Sequence, residues 1–73
     1  MSIAAIHTGD LVKARNAFGI ENERRALTGV ERGEDFPVVW VCTEAEWEAA
    51  EAEGRSPEGI PFPAEDVRAM APA

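Results

Sequence analysis

The chain has 73 residues, 45% of them hydrophobic and 29% charged, with two Trp, three Phe, one Cys and a formal net charge of −7 at pH 7. That length holds one domain whose core is only marginally sufficient, and the content of large apolar residues excludes a disordered chain. The acidity argues against direct nucleic-acid binding, which needs a basic footprint, and the lone Cys42 rules out an internal disulfide and points to a reducing cytoplasm.

No run approaches the roughly 18–20 apolar residues that cross a bilayer, so no membrane association is expected. The opening MSIAAIHTGD lacks the basic start and long apolar run of a signal peptide. One lysine against six arginines, much alanine and no Gln or Tyr suit a GC-rich genome, that of an actinobacterium or one of its phages. The charge is unevenly placed. Residues 1–33 are nearly balanced, whereas 34–58 carry eight acids against Arg55 alone.

In chain order, TGDLVKARNAFG reads as a strand entered through a Gly-Asp turn and left before Gly19. Leu11 and Val12 are its apolar residues, and Lys13 and Arg15 share one face at period two. IENERR is polar and irregular, with Asn22 as a turn residue. A second strand is predicted from Ala26 to Val30 or Glu31, closed by the turn Arg32-Gly33-Glu34-Asp35. FPVVWVC is the strongest strand, with Val39 and Val41 on one face and Val38, Trp40 and Cys42 on the other. Neither face is polar, so both are expected to be covered, with Trp40 in the core. Pro37 suits the start of that strand because it has no amide to donate.

Thr43 ends the strand and opens a helix over 44–53. Thr43-x-x-Glu46 has the spacing of a capping box, and Cys42 with Trp47 that of a hydrophobic staple. Glu44 and Glu46 sit where the helix dipole favours anions. Gly54 and Pro57 supply the stop. Trp47, Ala50 and Gly54 form the expected packing stripe, with the glutamates outward. The tail GIPFPAEDVRAM has a proline-rich loop with Ile60 and Phe62 on one side, then a final strand over 66–70 that returns Val67 and Met70 to the core.

Together, GDLVKAR, PVVWV and FPAEDVRAM resemble a small SH3-like barrel: a Gly-Asp before the first strand, a Trp-bearing central strand, and a short 3₁₀ turn before the last one at Pro63-Ala64-Glu65-Asp66. The expected fold is therefore mainly β, an SH3-like barrel of four to five short strands with one inserted helix near 44–53. The insertion over 43–58 departs from the short hairpin loop usual there, and the alternative is a compact α+β fold with one helix on an antiparallel sheet. The resemblance implies a binding or assembly module rather than an enzyme, without choosing among the functions such folds carry.

No catalytic or cofactor motif stands out: there is no Gly-rich phosphate loop, Ser-His pairing or Cys cluster. His7 has no metal-ligand spacing. Cys42 precedes a helix N-terminus, which favours thiolate, but its staple position makes it a small buried hydrophobe. Glu44, Glu48, Glu51 and Glu53 lack the spacing of a calcium loop and read as a solvated face. Glu65-Asp66 reads as a turn cap. No cofactor and no metal are expected.

The candidate partner-binding residues are thus Glu44, Glu48 and Glu51 on the helix, with Phe18, Phe36 and Phe62 in or near loops. Phe62, between Pro61 and Pro63, is the preferred contact if exposed. The leading expectation is a non-catalytic protein-interaction module whose acidic helix and aromatic-proline loop meet a basic protein partner. A second reading is an acidic mimic of nucleic acid that inhibits a DNA- or RNA-binding protein, provided Arg24, Arg25 and Arg32 do not neutralise its carboxylates. A third is a small structural subunit of a virion or assembly that self-associates through sheet edges.

Overall fold

The computed structural model describes residues 5–70, and the first residues of the N-terminal stretch read against a signal peptide lie outside them. Five strands form one antiparallel sheet: β1 (Leu11–Arg15), β2 (Glu21–Ala26), β3 (Val38–Cys42), β4 (Ile60–Pro63) and β5 (Val67–Ala69), in the order β4-β3-β2-β1-β5. One helix, α1 (Glu44–Glu53), follows β3, and a 3₁₀ turn (Ala64–Asp66) joins β4 to β5. The fold is mainly β, as expected, and its sheet is not closed.

The sheet nevertheless has to curl. Its edge strands β4 and β5 are joined by the three-residue turn alone. Laid flat, those edges would stand about 19 Å apart at the usual strand spacing. The four Cα steps from Pro63 to Val67 reach at most about 15 Å, and less in a 3₁₀ turn. Curling wraps one face around a core of Val12, Ala14, Ala26, Val39, Val41 and Val67, against which Ile6, Phe62 and Ala64 pack.

Alternation assigns the faces. Val12 and Ala14 point inward from β1, leaving Lys13 and Arg15 outside. In β3, Val39 and Val41 point inward while Trp40 stands on the outer face, 38% exposed. That corrects the expected core position of Trp40: a curled sheet has only one enclosed face, and on the outer face of β3 Cys42 alone, next to the start of α1, is buried.

The second strand is displaced from its predicted place. β2 occupies Glu21–Ala26, the polar segment expected to be irregular, and the predicted strand over 26–30 is a series of bends after Ala26. The polar strand is held by its ladder to β1, which pairs Asn22 with Ala14 and Glu23 with Lys13. Cross-strand charge pairs take the place of an apolar face there. Beyond it, the Thr28 hydroxyl accepts from the Trp40 amide at 3.3 Å, and Gly29 lies so close to Ile6 that a Cβ would stand 2.7 Å from its carbonyl oxygen.

α1 spans the expected residues. The Thr43 hydroxyl accepts from the Glu46 amide at 3.1 Å, and Gly54 adopts φ 69°, a left-handed cap that a side chain would strain. The reciprocal half of the capping box is replaced: the Glu46 carboxylate turns to Arg55 and to the Glu58 amide. Gly54 is exposed and leaves the packing stripe, which consists of half-buried Trp47 and buried Ala50. The last strand is shorter than expected because residues 64–66 form the predicted 3₁₀ turn, while Met70 still donates its amide to Leu11 at 3.2 Å.

Candidate partner-binding surface

The buried side chains among the described residues are Val, Ala and Cys only. The larger apolar side chains lie wholly or partly outside: Phe18 is 88% exposed, Ile60 60% and Phe36 51%. Single exposed apolar residues are ordinary. A small core that leaves its large apolar residues outside is not, and these residues fall into distinct places on the surface.

Phe18 tops the β1–β2 turn. The Asn16 side-chain oxygen accepts from the Phe18 amide at 2.9 Å and the Ile20 amide at 3.0 Å, while the Asn16 carbonyl accepts from Gly19 at 2.9 Å. This Asx-type cage fixes the turn and leaves the ring in solvent.

Phe36 belongs to the loop between β2 and β3. Glu31 and Val38 exchange both backbone hydrogen bonds, each 2.8 Å, and so close the loop at its base. Gly33 passes so near the Phe36 carbonyl oxygen that no Cβ would fit between them. A hollow of about 460 Å³ results, lined by residues 30–37, including Val30, Glu34, Asp35 and Phe36. Phe62 sits differently. It pairs with Val39 across β3–β4 and packs half-buried against the core, so Phe18 and Phe36 meet the condition of exposure and Phe62 does not.

The carboxylates divide evenly. Seven of the fourteen have a basic side chain within 4.0 Å, which for Asp10 is the exposed His7 imidazole. Those without one among the described residues are Glu31, Glu34, Asp35, Glu48, Glu51, Glu58 and Glu65. On α1 this separates the expected acidic face into two sets. Glu44 receives Arg25 at 3.0 Å, and Arg55 bridges Glu46 at 2.5 Å and Glu53 at 2.7 Å. Glu48 and Glu51 keep an open charge.

Arg25 is the joint between helix and sheet, a role its sequence position did not reveal. Its Nε donates to both Glu44 oxygens, at 3.1 and 3.0 Å, and its Nη1 donates to the Gly9 carbonyl at 2.7 Å. The guanidinium lies 5.7 Å from the Trp47 ring centroid, a cation–π distance. The Glu44 hydrogen bond raises the Arg25 pKa, against the opposing effect of burial. Burial pushes the Cys42 thiol up, with Glu46 and Glu44 adding to the shift, which disfavours a thiolate there.

Two further ion pairs tie the end of the chain to the sheet: Arg15 to Asp66 at 2.7 Å and Arg68 to Glu21 at 3.0 Å. Hydrogen bonds from Arg68 and from Arg55 hold the Glu21 and Glu46 carboxyls below the ordinary value of 4.5. Depressed carboxylate pKa values add stability above the unfolded-state value, and it is lost as pH falls through the folded-state value. Glu46→Gln is therefore expected to lower the melting temperature at neutral pH, with the gap to the parent closing below pH 4.5. A gap that persists unchanged in acid would show that Glu46 acts through packing instead.

Among the described residues, no three His, Cys, Asp or Glu side chains are grouped to hold a metal ion, and no helix is long and apolar enough to cross a membrane. Fold and surface thus define a small, mainly β protein: one open five-stranded antiparallel sheet, one helix, and aromatic side chains displayed on two shaped loops. No protein-family model, curated protein or solved structure matches the chain.

Proposed function

We propose that this chain is a non-catalytic protein-interaction module, an open variant of the SH3-like barrel, that meets a basic protein partner through Phe18 and Phe36. The observation that carries this reading is the inverted use of apolar residues: valines and alanines fill the core while Phe18 and Phe36 stand outside on loops fixed by their own backbone hydrogen bonds. Aromatic side chains held rigidly at a surface lose little entropy on binding and serve as anchors. Glu48 and Glu51 supply the open charge on α1 that would steer a basic partner, while Glu44 is engaged by Arg25.

Pairing also bears on the other readings. Three of the five helix carboxylates are bound to arginines, which breaks the line of charge that nucleic-acid mimicry requires. Edge pairing through β4 is disfavoured by its sequence. The Trp40 carbonyl accepts from Leu27 on the β2 side, so Val39 and Val41 face β4 and the Pro61 and Pro63 backbones face outward without an amide to donate.

The test is retention of proteins from an extract of the source organism on the immobilised chain at low salt, with and without DNA. A basic protein should be retained whether or not DNA is added. The double variant Phe18→Ala, Phe36→Ala should weaken its binding on the order of tenfold or more. Displacement of the captured protein by DNA would favour mimicry instead, and retention of the chain's own copies alone would favour assembly.

A further inference from the structure

We propose that the hollow in the β2–β3 loop is an arginine-reading site, taking the guanidinium of a basic peptide segment of the partner against Phe36 with Glu34 and Asp35 as its counter-charges. The inference rests on the interaction-module reading and adds the place and the chemistry of the contact.

Three observations converge on this loop. Val30 and Phe36, 58% and 51% exposed, give the hollow its apolar walls. Glu31, Glu34 and Asp35 line the same hollow, and none has a cation within 4.0 Å among the described residues. Three of the seven open carboxylates thus fall within five residues, a denser grouping than Glu48 and Glu51 on α1. Finally, the loop is built: the Glu31–Val38 hydrogen bonds close it and Gly33 packs under the Phe36 carbonyl. A shape formed in advance spares the ordering cost of binding.

An aromatic face beside unpaired carboxylates selects for a planar cation. Arginine can stack on the ring while its fork of donors meets a carboxylate, which lysine's compact ammonium does less well. The chain satisfies this preference once internally, where Arg25 meets Glu44 and Trp47 together. In the loop the aromatic ring and the carboxylates line one hollow, and Arg32, which lines it too, makes no ion pair within 4.0 Å among the described residues, so Glu34 and Asp35 keep their acceptors open to a guanidinium from outside.

The experiment is an NMR titration of the isotope-labelled chain with a capped synthetic peptide of arginine, leucine and glycine, set against its citrulline counterpart. Amide shifts should concentrate at residues 30–37, and citrulline should remove them. Phe36→Ala should weaken binding roughly three- to thirtyfold. Glu34→Gln with Asp35→Asn should weaken it about three- to tenfold at low salt and less at high salt. Unchanged amide positions outside the loop establish that each variant is folded.

Shifts confined to the Glu48 and Glu51 face, equal binding of the citrulline peptide, or no shifts would each overturn the site. Capture of a protein partner alongside any of those results leaves the interaction module standing without this loop. Peptide binding at residues 30–37 with no protein captured supports the arginine site and removes the module reading.

Discussion

Val39→Ala is expected to cost roughly 2–3 kcal/mol of folding stability, from lost transfer free energy and the cavity left behind. Val39 is wholly buried on the enclosed face and lies opposite Phe62 across the β3–β4 ladder. The other fully buried large side chains are Val12 and Val41, so there is little with which to refill the space. Chains of this size hold a total of only about 4–11 kcal/mol. Urea unfolding followed by tryptophan fluorescence should show a lower midpoint with an unchanged slope. A loss below about 0.5 kcal/mol would mean that the curled face is not the dominant core.

The second large effect is expected at Arg25. Arg25→Ala removes the paired hydrogen bonds to Glu44, the bond to the Gly9 carbonyl and the cover over Trp47. Both partners of the ion pair are partly exposed, so solvent screening limits the loss to about 1–2 kcal/mol. The loss should be local as well as global: amide exchange in α1 should accelerate more than exchange in β1. Arg25→Lys keeps the charge but not the fork, and should recover less than half of the loss. Uniform acceleration across sheet and helix would show that Arg25 supports the sheet rather than docking the helix. Trp47 has the same role from the other side, since a Cβ on Gly9 would stand 3.7 Å from its ring.

These two effects separate the layers of the molecule. The valine core holds the sheet in its curl, and Arg25 with Trp47 holds α1 to the outer face. Neither task uses Phe18 or Phe36, so the proposed binding residues can be changed with little cost to folding. That separation makes binding experiments on Phe36, Glu34 and Asp35 interpretable.

Elements whose signals are local were legible in the residues alone. The limits of α1 follow from Thr43 and Gly54, because caps act within one turn of backbone. β3 follows from five consecutive residues that suit a pleated strand, whereas the 3₁₀ turn is implied only by the resemblance to SH3-like barrels. That Lys13 and Arg15 share one face of β1 follows from period two, whereas the inward place of Ala14 and the outward place of Leu11 came with the fold. Features that depend on partners distant in sequence arose only in the folded chain. β2 is a strand because β1 and β3 pair with it, although its residues carry no apolar alternation. Trp40 is outside because curling encloses a single face of the sheet, and curling follows from how edge strands are joined rather than from composition. Which glutamates keep their charge open was settled by arginines reaching from other elements: Arg25 to Glu44 across 19 positions, and Arg55 back to Glu46 across 9. The loop over 30–37 became a shaped hollow only when the Glu31–Val38 bridge closed it, because a cavity is a property of folded surfaces and no single residue encodes one.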